Sequence, residues 1–107
     1  MPNIFVIDSQ KDHFIRQAIR EKRLLHFTYT GKIRIAEPHD YGVQGGKVRL
    51  LSYQVGGESN SGRLPAWRWL DVDGMSGIAL ESEHFKGSRG TDSTQHHKWD
   101  QLYARVA

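Results

Sequence analysis

The stretch "LLHFTYTGKIRIAEP", residues 24–38, decides the fold because its apolar and polar side chains alternate. This period of two is typical of a half-buried strand. One face of its first half carries Leu25, Phe27 and Tyr29. A tight turn follows at Gly31, and "IRIAEP" predicts a second strand that ends at Pro38. The stretch therefore predicts an antiparallel hairpin.

The chain on either side extends this pattern. Before the hairpin, helical spacing predicts a helix over about residues 10–22, and Ser9 and Asp12 form an N-cap signal ahead of it. After the hairpin, three further strands are predicted: "KVRLLSYQV" (47–55), "AWRWLDV" (66–72) and "IALES" (78–82). Glycine-rich connections join these strands, and "DGMSG" can bend or bulge the chain before the last one. We therefore expect a mostly β (α+β) fold, a small and strongly bent antiparallel barrel with flanking helices.

The two ends of the chain differ from the strand-rich middle. "IFVI", residues 4–7, suits a strand or an anchored arm, and residues 86–95 are polar and aperiodic, as in a linker. Residues 96–106 predict an amphipathic C-terminal helix, because four apolar side chains recur at i, i+3, i+4 and i+7: Trp99, Leu102, Tyr103 and Val106. This helix either docks back onto the domain or packs on a neighbouring subunit or another protein.

Composition excludes several classes of protein. The chain has 107 residues, enough for one domain with one modest core, and its net charge of +3 permits a polyanionic partner. It contains no cysteine, which excludes disulfides, a thiolate nucleophile and Cys-ligated metals. No apolar run has the length of a membrane span, and the N-terminus lacks the features of a signal peptide. We expect a soluble, cytoplasmic protein with no membrane partner.

Catalytic and metal signatures are missing from the sequence. None of the six histidines has a metal-ligand spacing, and no nucleophile–base, phosphate-loop or dinucleotide motif occurs. We therefore predict no enzyme activity, no catalytic residue, no metal and no cofactor.

The segment "LPAWRWLDVDG", residues 64–74, poses a conflict of faces. In a regular strand Trp67 and Trp69 share one face and Arg68 lies on the other. Leu70 and Val72, which suit a core, then fall on the face of Arg68. The strand must either bulge near Trp69 or be covered on both faces, with the C-terminal helix over one of them.

Basic and aromatic side chains are interleaved along the predicted strands. Proteins that bind single-stranded nucleic acids combine a basic groove with stacking rings, and arginine binds phosphate bidentately. Any one basic side chain of these strands could equally lie on a solvated strand face. The basic set is Lys32, Arg34, Lys47, Arg49, Arg63 and Arg68, with Tyr41, Tyr53, Trp67 and Trp69 between them.

Taken in order, "AIREKRLLHFTY", "RIAEP", "GGKVRLLSY", "LDVDGMSGIAL" and then Phe85 resemble the WYL domain family over residues 12–85. The resemblance implies an SH3-like or Sm-like β-barrel. It also implies a ligand-sensing module of bacterial transcription regulators, with nucleotides or single-stranded nucleic acid as ligands. Residues 1–107 then form a single, stand-alone WYL-like domain, since no helix-turn-helix is present.

The match to the family pattern is partial. Five residues occupy the family's places: Tyr29, Arg34, Pro38, Leu50 and Tyr53. Val48 and Arg49 replace the family's Trp and Tyr, while Asp71 and Gly74 stand where two arginines are expected. Arg49 and Arg68 can supply replacement charge from neighbouring positions.

The resemblance and the charges together predict an anion site. In this site Arg34, Arg49 and Arg68 hold phosphate, while Tyr53 or a tryptophan stacks. The alternative is a protein-interaction or oligomerisation module that has lost the ligand site. Its partner, a second copy or another protein, would bind through the C-terminal helix.

Overall fold

A computed structural model describes residues 8–58, 63–90 and 99–107 of the chain. The predicted segment 4–7 therefore lies outside the described residues. In chain order the elements are helix α1 (Ser9–Glu21), strands β1 (Arg23–Tyr29), β2 (Lys32–Gln44), β3 (Lys47–Gly57) and β4 (Ala66–Asp71), a 3-10 turn (Val72–Gly74), β5 (Met75–His84) and β6 (Gln101–Arg105). The predicted mostly β architecture with an N-terminal helix is confirmed.

Helix α1 begins at Ser9, the predicted cap, and its observed cap is Asp8, one residue earlier. The carboxylate of Asp8, rather than Ser9, accepts hydrogen bonds from the first free backbone amides of the helix. The helix ends at Glu21, where Lys22 adopts a left-handed conformation (φ 55°) and its N–H bonds back to the last turn. The buried face of α1 consists of Ile15, Ala18 and Ile19.

All strand pairings are antiparallel, in the order β4-β3-β2-β1-β5. β6 pairs with β2 outside this order. Residues 32–36 of β2 pair with β1, and residues 40–43 pair with β6. Because β3 pairs along the opposite edge of β2, β1 and β6 share the same edge one after the other.

The prediction that the second strand ends at Pro38 was wrong. β2 continues to Gln44, because the strand bulges where the proline lies. The register with β3 shifts between Pro38 and Asp40, leaving His39 as the extra residue. A bulge is one of the few places where a sheet accepts proline, which cannot donate to the ladder.

The predicted C-terminal helix is also wrong, as far as the structure describes it. Residues 96–98 lie outside the described part, and Gln101–Arg105 forms strand β6. The pairing of β6 with β2 shifts between Tyr41 and Gly42, which leaves Tyr103 as an extra residue. A bulged strand loses its period of two, so its apolar spacing can imitate a helical stripe. Of the predicted linker, residues 86–90 are irregular and 91–95 lie outside the described residues.

The sheet is open in the strand order that the structure describes: β4 and β5 stand at its two ends, and no pairing between described residues joins them. Its inner face packs with α1 around a core that includes Phe27, Leu50, Leu70 and Val106. No helix among the described residues combines the length and apolarity needed to cross a membrane.

β4 resolves the conflict around Trp67 and Trp69. Its pairing with β3 is regular from Ala66 to Asp71, so the strand does not bulge. Instead, apolar side chains lie on both of its faces. Leu70 lies in the core, while the Trp69 ring on the other face contacts the Trp99 ring at 5.6 Å. The expected bulge near Trp69 is therefore not observed, and both tryptophans of β4 are half-buried on the face opposite Leu70.

Candidate anion-binding site

Three neighbouring strands place a polar cluster on the inner face of the sheet. Arg34 pairs with the core residue Phe27, and Gln54 pairs with the core residue Ala36. Directly opposite residues of a sheet share a face, so Arg34 and Gln54 lie on the core side. On that side Ser52 precedes Gln54 by two residues and pairs with Arg68. We call Arg34, Ser52, Gln54 and Arg68 the inner polar cluster.

Gln54 is the centre of this cluster. Its Nε2 donates to two backbone carbonyls, those of Gly56 (3.0 Å) and Glu58 (2.9 Å). These bonds fix the orientation of the amide, so Oε1 points to the arginines. Oε1 accepts from Arg34 Nη1 at 3.4 Å and from Arg68 Nε at 3.3 Å. One neutral, fully buried oxygen therefore holds two guanidinium groups together.

Arg34 is buried without a counter-charge among the described residues. Only 8% of its surface is exposed, and no described carboxylate lies within 4.0 Å of its guanidinium. Nη2 donates to Thr30 Oγ1 at 2.9 Å, and the guanidinium lies over the Tyr29 ring at 5.3 Å. Burial, and then the positive charge of Arg68, lowers the pKa of Arg34. Both causes disfavour the cation, and a bound anion would relieve them.

Two buried polar atoms of the cluster have no partner among the described residues. They are Arg34 Nε and the hydroxyl of Ser52, whose residue is 1% exposed. Unpaired buried donors are rare, because each costs about 1–3 kcal/mol. Both can donate to an anionic oxygen, so the cluster has unused capacity for an acceptor.

Tyr29 forms the wall beside Arg34, and its position depends on Gly74. The Tyr29 hydroxyl accepts a hydrogen bond from the Asp71 backbone N–H at 3.1 Å. A Cβ atom on residue 74 would lie only 2.9 Å from Tyr29 Cε1, so any larger residue there would displace the ring. Glycine at position 74 therefore lets the Tyr29 ring pack against the turn.

The four predicted ligand residues divide between the two faces of the sheet. Arg34 and Arg68 meet in the inner cluster, as described above. Arg49 and Tyr53 alternate with the core-facing residues of β3 and lie on the outer face. There Arg49 Nε donates to Asp71 Oδ1 at 3.1 Å. Tyr53 is therefore not placed to stack on a group that Arg34 holds.

The outer face is built around a second arginine–carboxylate contact. Arg89 binds Glu37 bidentately, with N–O distances of 2.9 and 2.8 Å, and its guanidinium lies 4.0 Å from the centre of the Tyr53 ring. His39 Nε2 lies 3.1 Å from Glu37 Oε1. Burial alone would raise the pKa of Glu37, but the bonds from His39 and Arg89 outweigh it and lower that pKa. Because a carboxylate only accepts, His39 carries its proton on Nε2.

A cleft of about 500 Å³ opens beside this contact. Its lining is mixed, with acidic, basic and apolar side chains together. It includes Leu24, Glu37, Val55, Phe85, Lys86 and Arg89. The charged groups at its inner end, Glu37 and Arg89, already bind each other. The ion pair between Glu37 and Arg89 therefore satisfies two of the charges that line the cleft.

Sequence reasoning missed the two neutral members of the inner cluster. A signal for them was present: Leu50, Ser52 and Gln54 share one face by the period of two. A serine and a glutamine in line with a core leucine indicate buried polar groups, which need partners. Applied to β3, this rule would have selected Ser52 and Gln54.

The inner cluster suits the binding of an anion. It presents donors and positive charge, and within residues 8–58, 63–90 and 99–107 no group of three His, Asp or Glu side chains could hold a metal ion. Comparison of the chain with family models, curated proteins and solved structures gives no match. A function therefore has to follow from the cluster itself.

Proposed function

We propose that this domain is a ligand-binding regulatory module, and that Arg34 and Arg68 bind the phosphate of a nucleotide or a single-stranded nucleic acid. The observation that carries the proposal is the Arg34 guanidinium, which is buried, has an unpartnered Nε and lacks a carboxylate within 4.0 Å among the described residues. A buried charge is costly unless it is paired, and phosphate is one of the anions that guanidinium groups bind bidentately.

The topology supports the finer fold that the resemblance implies. We propose that the sheet bends into an SH3-like barrel of the WYL type. β2 is long and bulged, and a bulge favours a local bend in the strand. The 3-10 turn Val72–Gly74 joins β4 and β5, the two end strands of the order. Val72 and Met75, on either side of this turn, both contribute to the core.

The absence of an enzyme activity stays a prediction. The interaction alternative needs a different surface from the one expected, because residues 101–105 pair with β2 of the same chain instead of forming a free amphipathic helix. The proposal therefore concentrates on the inner cluster, where Arg34 has no described carboxylate within 4.0 Å.

Fluorescence anisotropy of a labelled oligothymidylate at two salt concentrations tests the proposal. Binding should weaken as salt rises, since each neutralised phosphate releases counterions. Arg34→Met and Arg68→Met should each weaken binding. Each should also reduce the slope of log binding constant against log salt concentration by about 1, the value for one lost phosphate contact.

Arg49→Met is the matched control. Arg49 is an arginine of the same sheet that already has Asp71 as its partner. The Arg49→Met variant should bind the oligothymidylate as tightly as the original chain does. Absence of binding at low salt, or equal losses in all three variants, would contradict an inner-cluster phosphate site.

A further inference from the structure

Glu37 and Tyr53 form a pocket for a guanidinium group on the outer face of the sheet. The two residues lie directly opposite each other on β2 and β3, and the Glu37 side chain is only 7% exposed. Arg89 fills this guanidinium pocket: it donates to both carboxylate oxygens of Glu37 and lies over the Tyr53 ring. The pocket thus offers the two contacts that a guanidinium prefers, bidentate hydrogen bonds and an aromatic face.

The pocket is also held by contacts that do not involve Arg89. The Trp67 ring of β4 contacts the Tyr53 ring at 4.9 Å and the His39 ring at 4.9 Å. His39 in turn lies within hydrogen-bond distance of Glu37. These contacts connect three neighbouring strands, so we expect the ring and the carboxylate to keep their positions when the guanidinium leaves. A site organised in advance costs less free energy to fill.

Arg89 is the exchangeable part of this arrangement. It lies on the irregular residues 85–89 that follow β5, and its side chain is 34% exposed. Rotation about its side-chain bonds can therefore withdraw the guanidinium without breaking a strand pairing. The cleft of about 500 Å³ described above is lined by both Glu37 and Arg89. A guanidinium from outside the chain can thus approach Glu37 through this cleft.

The lining of the cleft indicates what else such a ligand carries. Leu24, Val55 and Phe85 supply apolar surface, and Val55 is 37% exposed. The two exposed charges, Glu83 and Lys86, have opposite signs and leave the cleft without a strong preference for either. The volume lies within the range of about 300–1,000 Å³ typical of small-ligand sites. These features fit a short peptide segment, in which a neutral backbone joins an arginine to an apolar side chain.

We infer that Glu37 and Tyr53 form a binding site for the arginine side chain of a peptide, and that Arg89 occupies this site until the peptide displaces it. The inference goes beyond the proposed function, because this site lies on the outer face and uses neither Arg34 nor Arg68. A side chain tethered nearby competes at an effective concentration in the millimolar range. The peptide therefore needs the apolar contacts of the cleft in addition to its arginine.

Titration calorimetry of the full chain with N-acetyl-arginine amide and N-acetyl-lysine amide tests the site. The Arg89→Ala variant should bind the arginine amide at least about tenfold more tightly than the lysine amide, since lysine cannot bind a carboxylate bidentately. The original chain should bind the arginine amide at least about tenfold more weakly than the variant does, because Arg89 competes. Adding Glu37→Gln to Arg89→Ala should abolish this binding.

A second variant keeps the test valid if Arg89→Ala does not fold. Arg89→Lys retains a cation beside Glu37 but loses the bidentate contact, so its affinity for the arginine amide should lie between those of the original chain and Arg89→Ala. On the original chain, N-acetyl-arginyl-leucine amide should bind more tightly than the arginine amide, because leucine reaches the apolar wall of the cleft.

Three results would overturn the inference. Equal binding of the arginine and lysine amides, or no binding to either variant, would exclude a guanidinium site at Glu37. Equal affinity of the original chain and the variants would show that Arg89 does not occupy the site. A leucine neighbour that adds no affinity would exclude a peptide as the ligand. None of these measurements involves phosphate, so they leave the proposed function of the inner cluster unaffected.

Discussion

Replacing Arg34 by methionine should stabilise the ligand-free domain and abolish its phosphate binding. Methionine is unbranched and of similar length, so it can follow the path of the arginine side chain without a charge. Arginine at this position loses solvation without gaining a described carboxylate, and it is repelled by Arg68. A residue that binds a ligand and weakens the free protein is typical of functional sites.

The expected change in free energy follows from the contacts. The substitution removes the hydrogen bond to Thr30 (2.9 Å), a long bond to Gln54 (3.4 Å) and a cation–π contact with Tyr29, together worth about 2 kcal/mol. It also removes a buried charge and an unpartnered Nε, which should return about 3 kcal/mol. The net gain is about 1 kcal/mol, or a rise in Tm of roughly 4–8 °C for a domain of this size.

Thermal and urea unfolding, each with and without phosphate ligand, measure both effects. Arg49→Met again serves as the control. Arg49 faces Asp71 and is one-third exposed, so its loss should cost at most about 1 kcal/mol and leave the effect of ligand intact. The reasoning would be refuted if the Arg34→Met variant lost more than about 1 kcal/mol of unfolding free energy and were still stabilised by the phosphate ligand. Arg34 would then be a structural residue.

Two further substitutions test other parts of the structure. A Cβ on residue 42 would overlap the Gln101 carbonyl oxygen, so Gly42→Ala should cost about 1–3 kcal/mol and expose the amides of 101–105 to hydrogen exchange. Unchanged protection there would contradict the pairing of β6 with β2. The folded-state pKa of Glu37 is lowered, so its stabilising effect is present above its ordinary pKa and is lost as pH falls through the folded value. Glu37→Gln should therefore lower urea stability at pH 7 and flatten the acid-side slope, while the exposed Glu83→Gln should change neither.

Much of the fold follows from local patterns. The period of two places β1, β3 and β4 within a few residues of their observed bounds, and the glycine pair at 45–46 marks the β2–β3 hairpin. The C-terminal segment could not be predicted in this way. Its conformation depends on the free edge of β2, which is distant in sequence, and on a bulge at Tyr103 that hides the period of two.

The candidate site could be predicted only in part. Composition and the resemblance selected Arg34 and Arg68, but their meeting point at Gln54 depends on the register of β2 against β3. That register shifts twice, between Ile35 and Ala36 and again between Pro38 and Asp40. Bulges leave no clear mark in a single sequence, and a slip of one residue would move Gln54 to the other face. The same register places Arg49 and Tyr53 on the opposite face of β3 from Gln54.

The choice of partner distinguishes Arg34 from other arginines of the domain. Three of them each face a carboxylate: Arg49 with Asp71, Arg89 with Glu37 and Arg105 with Asp40. Arg34 instead faces the amide of Gln54, which differs from glutamate by one group. A glutamate could accept from both arginines but could not donate to the carbonyls of Gly56 and Glu58. The amide therefore holds the two guanidiniums together without neutralising Arg34, which is the condition that an anionic ligand requires.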